Sequence, residues 1–535
     1  MQNQSRPIVI CITGATSGLG KEMAHQLLAN HDKHPIQLAL IGRQPLSSLD
    51  PLLYTSDTYC QADLAQPEAI QRISEWLDEQ KIERLDYLIH NAAQGYVGSL
   101  LDQSNGSINS LLQVNLQSPL ALTQRLMPKL NVGKVVFISS VVTAIPSPDY
   151  AVYAATKAAL DGFTRNLRTE LNAPGARYET KVQLIRPGAI RTDMHEKSGA
   201  DLEALKWEKF PSVESVATQV LQTIESERPT SVIGSVNKMV DRTGRYLGGP
   251  LDWAIRGMRS REYPSDTSKA PISAQDTANQ RRHCVITGAA DGIGKALTQL
   301  YLASGWQVTG IDFEQEQAAQ TQAELDPSGD RLSFIFGDLG SSTDLERIES
   351  ELDERPIIEL LIHNAGINAV GYFTKLDWSR QQKVLDVNLR APLMLTAGLL
   401  RRKHLSPRGN IVFISSLSYF VGYPGAAVYG ASKDGIASFA RSLRVALAPQ
   451  RINVLTVFPG PTRTAHARRY SPDNSREEKR MAPEELAKRI VNAVEKGQKQ
   501  LVPGITNQAS ASIGKFLPGL MDYVMRKVIL EKLEN

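Results

Sequence analysis

A chain of 535 residues is too long for one ordinary hydrophobic core, and its length favours two domains of roughly 230 to 260 residues each. The net charge of +4 is small for this size and gives no case for nucleic-acid binding, and the 9 histidines show no metal-ligand spacing. No apolar run approaches the roughly 20 residues that a membrane span needs, and 3 scattered cysteines favour a reducing, cytoplasmic location.

The chain opens with a few polar residues followed by the apolar run Ile8 to Ile12. This run is too short for a signal peptide and leads into a glycine loop, so we predict a first β-strand. Similar runs alternate with longer amphipathic stretches in both halves, as in β-α-β units on a parallel sheet that helices cover on both faces. The predicted strands are Ile8 to Ile12, Gln37 to Ile41, Leu85 to His90, Lys134 to Ser139 and Lys181 to Ile185, then His283 to Ile286, Gln307 to Ile311, Ile358 to His363, Asn410 to Ser415 and Ile452 to Val457.

A glycine loop with the spacing G-x-x-x-G-x-G follows the first predicted strand of each half. The first glycine permits a sharp turn, the second lets a pyrophosphate approach the backbone, and the third allows close helix packing. The helix N-terminus adds amide donors and positive potential. A tight turn without a ligand is the alternative, but repetition of the loop favours a nucleotide site. Its residues are Gly14, Ser17, Gly18, Leu19 and Gly20, and in the second half Gly288, Asp291, Gly292, Ile293 and Gly294.

The end of the second predicted strand distinguishes the two halves. Arg43 places a cation where the 2′-phosphate of NADP(H) would lie, whereas Asp312 places a carboxylate that would bond a free 2′-hydroxyl and repel a phosphate. We therefore expect NADP(H) in the first half and NAD(H) in the second. The alternatives are a solvated strand-end charge for Arg43 and a helix cap or turn residue for Asp312.

Tyr153 and Lys157 are four residues apart, so both project from one face of a predicted helix. The ammonium favours ionisation of the phenol, which makes a proton donor and acceptor usable near neutral pH. Ser140 precedes this tyrosine at the end of an apolar strand, where its hydroxyl can bond an oxygen that becomes anionic during hydride transfer. Without the serine, an ordinary amphipathic helix would be the better interpretation. The second half repeats the set as Ser416, Tyr429 and Lys433.

The motifs recur at nearly constant shifts, which indicates a duplicated domain. Thr13 and Thr287 are 274 residues apart, and Tyr153 and Tyr429 are 276 apart. The repeat continues beyond the catalytic motifs, since Gly234 to Arg256 matches Gly504 to Arg526 without a gap. A polar segment poor in large apolar residues separates the copies and is typical of a linker. The predicted organisation is a domain at 1–258, a linker at 259–280 and a domain at 281–535.

On these motifs, both halves resemble the short-chain dehydrogenase/reductase family over nearly all of their length. The further motifs that carry the resemblance are Asp63-Leu64 and Asp338-Leu339 after the third strand, Asn91 and Asn364 after the fourth, Asn115 and Asn388 within Val-Asn-Leu, and Pro187-Gly188 and Pro459-Gly460. The resemblance implies two doubly wound parallel-sheet Rossmann domains in tandem, packed as an internal pseudo-dimer that is able to oligomerise further.

The resemblance also implies a role for each motif residue. In the family's mechanism the tyrosine transfers the substrate proton, the serine orients the oxygen, the lysine binds the nicotinamide ribose and lowers the tyrosine pKa, and the asparagine holds a water. The implied catalytic sets are Asn115, Ser140, Tyr153 and Lys157, and Asn388, Ser416, Tyr429 and Lys433. The implied cofactor contacts add Asp63 and Asp338 for adenine, Asn91 and Asn364 at the cofactor-side turn, Lys157 and Lys433, Pro187, Gly188, Pro459 and Gly460, and Thr192 and Thr464 for the carboxamide. One departure is Ala93, where the second half has the family's usual glycine, Gly366. Each asparagine has the alternative role of stabilising a helix kink.

The predicted substrate lids and C-terminal extensions leave several interpretations open. The lids, Arg191 to Lys209 and Thr462 to Arg480, differ strongly, and their cationic groups are either ligands of an anionic substrate or solvated charges. The first lid carries Asp193, Met194, His195 and Trp207, and the second carries His466, Arg468, Arg469 and Tyr470. The extensions mix apolar and basic residues. They can pack on protein, lie on a membrane surface as a peripheral contact, or cover an acyl-type substrate.

Taken together, the residues predict an enzyme with two NAD(P)-dependent alcohol and ketone redox sites. The first half would reduce a ketone with NADPH and the second would oxidise an alcohol with NAD. One common small-molecule substrate would then be epimerised through a released ketone. The alternatives are two steps on a larger intermediate, one active half beside a structural one, and a scaffold that binds NAD(P) without turnover.

Overall fold

A computed structural model describes residues 6–29, 35–203, 206–246, 249–252, 254–255, 281–471, 473–475 and 477–533. The chain divides into two compact units: Met1–Gly98, Gly106–Ile145 and Val152–Gly248 make up the first, and Ser99–Asn105, Pro146–Ala151 and Gly249–Asn535 make up the second. Short segments of the first repeat therefore belong to the second unit. The predicted linker at 259–280 lies outside the described residues.

The described part of the first unit contains a parallel seven-stranded sheet. Its strands are β1 (Ile8–Thr13), β2 (Ile36–Gly42), β3 (Tyr59–Gln61), β4 (Tyr87–His90), β5 (Lys134–Ile138), β6 (Lys181–Arg186) and β7 (Thr230–Val232). They lie in the order β3-β2-β1-β4-β5-β6-β7. In register, Ile10 lies beside Leu38 on one side and Tyr87 on the other. Because the strand order reverses at β1 and β4, a crevice opens at their carboxyl ends, where sheets of this kind bind ligands.

The described part of the second unit repeats this sheet. Its strands are β8 (His283–Thr287), β9 (Gln307–Asp312), β10 (Leu332–Phe336), β11 (Ile358–His363), β12 (Leu405–Ile414), β13 (Asn453–Val457) and β14 (Gln500–Leu501). The order is β10-β9-β8-β11-β12-β13-β14, again parallel. Ile286 lies between Gly310 and Ile362, so the reversal falls at the corresponding place.

Helices connect the strands and cover the sheets. In the first repeat they are α1 (Gly18–Ala29), α2 (Ala69–Glu79), α3 (Asn105–Leu112), α4 (Ser118–Leu126), α5 (Ala151–Leu171), α6 (Met194–Lys197), α7 (Val213–Glu225) and α8 (Ser235–Tyr246). In the second they are α9 (Gly292–Ala303), α10 (Gln315–Leu325), α11 (Ser342–Asp353), α12 (Trp378–Leu385), α13 (Ala391–Arg401), α14 (Ser418–Val421), α15 (Ala427–Ala446), α16 (Ala465–Tyr470), α17 (Pro483–Glu495), α18 (Ile505–Phe516) and α19 (Pro518–Ile529). No helix of the described residues is long and apolar enough to cross a membrane.

An apolar core lies between each sheet and two of its helices, one after the first strand and one near the end of the repeat. In the first unit Met23 of α1 and Val220 of α7 pack with Ile12 and Leu40 of the strands. Burying a side chain of this size stabilises the fold by roughly 1.5–3 kcal/mol. The corresponding core of the second unit contains Leu297, Ile490, Ile286 and Val308. These cores fix the carboxyl ends of the strands on which the motif residues lie.

A π-helical turn precedes α4 and α13 at the same point of each repeat. The two turns are Gln113–Gln117 and Asp386–Arg390, and Asn115 and Asn388 lie at their centres. Isolated π turns often mark functional sites because they realign groups within a helix.

Candidate active sites

The glycine loops have the conformation that their spacing predicts. Gly14 and Gly288 adopt φ values of +66° and +65°, and Gly18 and Gly292 adopt +50° and +54°. Side-chain-bearing residues rarely adopt this left-handed region, so glycine is favoured at these turns. Each loop can therefore bring its backbone close to a ligand at the start of the following helix.

The third glycine of each loop allows the helix to lie against the turn. A Cβ atom on Gly20 would overlap the carbonyl oxygen of Gly14, and one on Gly294 would overlap that of Gly288. The role predicted for this glycine, close packing of the helix, thus has a direct steric basis.

Asn91 and Asn364 tie the glycine turns to the fourth strands. Asn91 donates from Nδ2 to the carbonyl oxygens of Thr13 and Gly14 at 3.1 and 3.2 Å. Asn364 donates in the same way to Thr287 and Gly288 at 3.1 and 3.0 Å. These side chains hold the cofactor-side turn in shape, and their amide groups are largely used in doing so.

Asp312 lies at the end of β9 with its carboxylate fixed by three backbone amides. Oδ2 accepts from Ala290 N at 2.9 Å, while Oδ1 accepts from Phe313 N at 2.8 Å and Glu314 N at 3.3 Å. The side chain therefore makes the turn contacts that were its alternative role, and it also bridges to the glycine loop. This places a fixed negative charge beside that loop.

Arg43 is exposed at the end of β2, on the wall of a cleft of about 630 Å³. Asp63, which follows β3, and Arg72 of α2 line the same cleft. The sequence analysis did not single out Arg72. In the sequence Arg72 belongs to no motif and looks like any charged residue of a surface helix. Its place at this cleft follows only from the fold.

The two aspartates that follow the third strands differ in their partners. Asp63 accepts a hydrogen bond from Ala65 N at 3.0 Å. Asp338 accepts one from Gly340 N at 2.8 Å and also forms an ion pair with Lys383 Nζ at 3.0 Å. The implied adenine contact of the second repeat therefore has a lysine bound to it.

One long helix in each repeat brings the predicted catalytic lysine and tyrosine close to a strand end. Lys157 donates from Nζ to Ile138 O at 2.9 Å, and this nitrogen lies 5.8 Å from the centroid of the Tyr153 ring. Lys433 donates to Ile414 O at 3.0 Å and lies 5.6 Å from the Tyr429 ring centroid. The four-residue spacing has thus placed both groups on one face of the helix.

The predicted serines lie directly after these strands. Ser140 Oγ accepts from Val142 N, and Ser416 Oγ accepts from Ser418 N, both at 3.2 Å. In the second repeat the Ser416 hydroxyl also forms a hydrogen bond with the Tyr429 phenol. Ser416, Tyr429 and Lys433 therefore lie close together in that repeat.

The repeated arrangement of these residues in the two halves agrees with a comparison to known protein families. A model described as short chain dehydrogenase matches residues 8–203 and again residues 282–475, together more than half of the chain. The chain belongs to the short-chain dehydrogenase family. It is an oxidoreductase with two such domains in tandem, of the class that acts on CH–OH groups with a nicotinamide cofactor.

Individual family members align with part of this chain. Nodulation protein G of a Rhizobium species is 32% identical over 188 residues, which are 34% of this chain and 72% of that protein. An uncharacterized oxidoreductase of Thermotoga maritima is 28% identical over 217 residues, 40% of this chain and 83% of that protein. A solved short-chain dehydrogenase from Sphingobium yanoikuyae, described as a complex with NADPH, covers 46% of this chain and 96% of its own, with 25% identity and a TM-score of 0.40.

Burial controls the ionisation of the predicted catalytic groups. It lowers the pKa of Lys157 and of Lys433 to about 8, and Asp161 partly opposes this for Lys157. Burial raises the pKa of Tyr429 to about 12, although the Ser416 hydrogen bond acts in the opposite direction. The net shift at Tyr429 is thus opposite to the one expected from the Tyr–Lys spacing, because desolvation outweighs the other influences.

Each asparagine at the centre of a π turn uses its side-chain amide in three hydrogen bonds. Asn115 accepts from Gln94 N at 2.7 Å and donates to Gln94 O at 2.9 Å and Thr156 Oγ1 at 3.2 Å. Asn388 makes the same three bonds, with Ile367 and Ser432. Each side chain stabilises its helix irregularity and joins it to the catalytic helix.

The Pro-Gly turns contact the C-terminal extensions, and the threonines that follow these turns lie close to the glycine loops. A Cβ atom on Gly18 would lie 3.4 Å from Thr192 Cγ2, and one on Gly292 would lie 3.1 Å from Thr464 Cγ2. The structure therefore brings each predicted carboxamide ligand to its loop. A Cβ on Gly188 or Gly460 would overlap the side chain of Asn237 or Asn507, so the matching asparagines of the two extensions pack on the Pro-Gly turns.

A partly buried ionic cluster that the motifs did not indicate lies one helical turn from Lys157. Asp161 follows Lys157 by one helical turn and accepts hydrogen bonds from Ser139 Oγ at 2.5 Å, Thr143 Oγ1 at 3.0 Å and Arg186 Nε at 2.8 Å. Arg186 immediately precedes the Pro-Gly motif. The cluster thus links the helix of Lys157 to Ser139 at the end of β5 and to the turn toward the lid.

The extension of the first repeat continues this cluster. Arg245 of α8 lies 3.7 Å from Asp161 and donates to Asp241 at 2.9 Å. At the aligned places of the second repeat, Ala437 replaces Asp161, and Phe458, whose ring centroid is 5.2 Å from that of Tyr419, replaces Arg186. A comparison of the two repeats in sequence could have identified the cluster, because two charged residues of the first repeat are replaced by apolar residues in the second.

The lid histidines are poor candidates for binding an anion at neutral pH. Burial lowers the pKa of His466 to about 4, helped by Lys433 and Arg469, and it also lowers the pKa of His195. Their rings pack on neighbouring aromatic side chains, with centroids 4.8 Å apart for His466 and Tyr470. Both histidines are therefore neutral packing groups. No group of His, Cys, Asp or Glu within the described ranges could hold a metal ion.

Proposed function

We propose that both repeats are active alcohol/ketone oxidoreductase sites with opposite cofactor preferences. The first, at 1–258, reduces a ketone with NADPH, and the second, at 281–535, oxidises an alcohol with NAD. The observation that carries the proposal is the matched lysine–tyrosine geometry of the two repeats beside strand ends of opposite charge, Arg43 and Asp312.

The glycine loops fit a dinucleotide. Their left-handed glycines and the overlap that a Cβ on Gly20 or Gly294 would cause leave backbone, not side chain, facing the helix N-terminus. The bound cofactor supplies or accepts a hydride at the substrate carbon. The residues proposed to hold it are Gly14, Ser17, Gly18, Leu19, Gly20, Arg43, Asp63, Asn91, Lys157, Pro187, Gly188 and Thr192, and Gly288, Asp291, Gly292, Ile293, Gly294, Asp312, Asp338, Asn364, Lys433, Pro459, Gly460 and Thr464.

Charge at the end of the second strand sets the cofactor preference. Backbone amides hold the Asp312 carboxylate in place, so it can accept from a ribose hydroxyl but cannot turn away from a phosphate. In the first repeat, Arg43 and Arg72 line one cleft and together provide the positive charge that attracts a phosphate.

The tyrosines handle the substrate proton. With its raised pKa, the Tyr429 phenol keeps its proton at neutral pH and can donate it to a substrate oxygen. For alcohol oxidation the phenol must first lose that proton, and Lys433, which is charged below about pH 8, favours this loss. Ser416 is placed to orient the same oxygen.

The direction of each site follows from the usual state of the cofactor pools. Cells generally hold NAD mostly oxidised and NADP mostly reduced, so the second repeat would form a ketone and the first would consume one. If both accept the same compound, the net result is redox-neutral inversion of a stereocentre.

The experiment begins with two variants, Tyr153→Phe and Tyr429→Phe, each of which disables one site. The Tyr153→Phe chain should reduce NAD+ with a secondary alcohol, and the Tyr429→Phe chain should oxidise NADPH with the matching ketone. The wild-type chain, given one alcohol epimer with NAD+ and NADPH, should yield the other epimer. If one single variant loses all turnover of both cofactors, only one repeat is active and the two-site proposal is wrong.

A further inference from the structure

The last two helices of the second unit are fixed by one apolar face. Ala511 and Gly514 of α18 are buried, and a Cβ atom on Gly514 would overlap the carbonyl oxygen of Phe420. Met521 and Ile529 of α19 are each 7% exposed. Because this face is already packed against the unit, the opposite faces of both helices must point away from it.

The opposite face is also apolar. A surface helix normally carries polar residues opposite its buried face, so two apolar faces on α19 are unusual for a helix that only covers a core. Large apolar side chains follow one another at spacings of mostly three or four residues and are between 38% and 61% exposed. These residues, here called the C-terminal stripe, are Ile513, Phe516, Leu517, Leu520, Tyr523, Val524 and Val528. A contiguous exposed patch of this kind marks an interaction site.

Basic side chains border the stripe. Lys515 Nζ lies 5.8 Å from the Phe516 ring centroid, and the charged groups of Arg526 and Lys527 lie 5.3 and 5.0 Å from that of Tyr523. Their aliphatic stems extend the apolar surface while the charges remain at its edge. Residues 505–533 contain four basic and two acidic residues, and Lys532 pairs with Asp473.

We infer that the C-terminal stripe and its basic border bind the surface of an anionic lipid bilayer. Apolar side chains with aromatic groups, flanked by Lys and Arg, match the boundary between acyl chains and negatively charged headgroups. Each helix has 12 residues, which suits contact along the surface.

Charge favours a bilayer over a second copy of this chain as the occupant. In a twofold dimer each stripe would contact the same stripe of its partner. Lys515, Arg526 and Lys527 of one copy would then lie near the same cations of the other, and like charges repel. An anionic headgroup layer complements these cations, so it is the occupant to which the stripe is suited.

The test uses the full chain with sedimented vesicles of phosphatidylcholine alone or of equal parts phosphatidylcholine and phosphatidylglycerol. We expect binding to the mixed vesicles that weakens as sodium chloride is raised, and much weaker binding to phosphatidylcholine alone. The variant Phe516→Ser/Leu520→Ser/Val524→Ser should bind at least about tenfold more weakly, since it removes most of the central apolar area.

Matched variants separate this binding from misfolding and from general exposure of apolar residues. Lys515→Gln/Lys527→Gln should lose the preference for anionic vesicles. Leu52→Ser changes a leucine that is 85% exposed in the first unit and should bind as the wild type does. NADH titration of every variant checks that the second unit is folded.

Two outcomes would overturn the inference. Unchanged vesicle binding by a folded triple serine variant would place any membrane contact elsewhere. A wild-type dimer that the same variant converts to monomer in light scattering, with no vesicle binding, would assign the stripe to self-association.

Discussion

Arg186 donates a hydrogen bond from Nε to Oδ2 of Asp161 across 2.8 Å, and the two side chains are only 10% and 13% exposed. Removing such a pair from water is costly, and hydrogen bonds from two neighbouring hydroxyl groups offset part of this cost. The second repeat fills the aligned positions with Ala437 and Phe458. The two repeats thus support the same catalytic elements by different interactions.

Replacing only one member of this pair should be more harmful than replacing both. Asp161→Ala leaves Arg186 charged and buried without its main partner, and should destabilise the first unit by about 3 kcal/mol. Asp161→Ala/Arg186→Phe copies the second repeat and should cost less. Hydrogen exchange of peptides from helix Ala151–Leu171 in increasing urea measures the difference.

An exposed carboxylate supplies the control for this comparison. Asp57→Ala should leave exchange in the same helix unchanged, because Asp57 is exposed. Equal losses in the single and double variants would show that the pair is not energetically coupled.

The lowered pKa of Lys157 and Lys433 predicts a pH-dependent stability change. A folded-state pKa of about 8 for Lys433, below the ordinary 10.5, means that the charged lysine disfavours folding at neutral pH. This penalty is fully present below pH 8 and disappears as pH rises from 8 through 10.5. Lys433→Met should therefore stabilise the second unit by on the order of 2 kcal/mol at pH 7, less the lost bond to Ile414, and by less at pH 10.

The first repeat is the internal comparison for this effect. Asp161 raises the pKa of Lys157 and so compensates part of its desolvation. Because the resulting pKa is about 8 for both lysines, Lys157→Met should stabilise its unit about as much as Lys433→Met stabilises the other, when urea denaturation is followed at both pH values. A destabilisation by Lys433→Met at pH 7 would contradict the prediction. Both variants should lose turnover. The buried lysines would then serve activity at the expense of stability.

Much of the fold followed from local patterns, whereas the surroundings of the sites did not. The central strands were predicted because runs such as Ile8–Ile12 are buried on both faces and therefore continuously apolar. The predicted runs left out the edge strands Tyr59–Gln61, Thr230–Val232 and Gln500–Leu501, because two or three residues carry too little pattern. They also left out Leu332–Phe336, although the family resemblance implied a strand before Asp63 and before Asp338. The strand Leu405–Ile414 starts well before its predicted beginning at Asn410, since polar residues occupy its first half.

Site residues with a fixed spacing could be predicted, and their partners could not. Tyr153 and Lys157 are four residues apart on one helix, so local geometry alone places them together. Arg186, Asp241 and Arg72 reach their sites only through long-range packing, which a single sequence does not encode in any short pattern. The raised pKa of Tyr429 likewise depends on burial, which is a property of the assembled fold.

Removing the strand-end charges should weaken the cofactor preferences. We expect Arg43→Ala to weaken NADPH binding about tenfold or more while NADH binding to the second repeat is unchanged, because one phosphate contact to Arg is lost. Asp312→Ala should weaken NADH binding and improve NADPH binding at the second site. Fluorescence titrations with each reduced cofactor measure both the affinity and the number of sites.

A further substitution tests whether Arg72 contributes to the same cleft. Arg72→Ala should weaken NADPH binding in the same direction as Arg43→Ala but by less, and Arg84→Ala, an exposed arginine elsewhere in the first unit, should have no effect. Retention of full NADPH affinity by the Arg43→Ala/Arg72→Ala chain would exclude this cleft as the phosphate site.

The glycine loop of the second repeat offers a steric test of cofactor binding. Gly294→Ala would place a Cβ against the Gly288 carbonyl oxygen and the Asn364 amide, so helix Gly292–Ala303 must shift away from the turn. We expect loss of NADH binding at the second site, with NADPH binding to the first retained. Gly519→Ala is the matched control, because a Cβ there meets no atom within 4 Å. NADH affinity that survives Gly294→Ala unchanged would mean that the helix does not need to approach the turn for the nucleotide to bind.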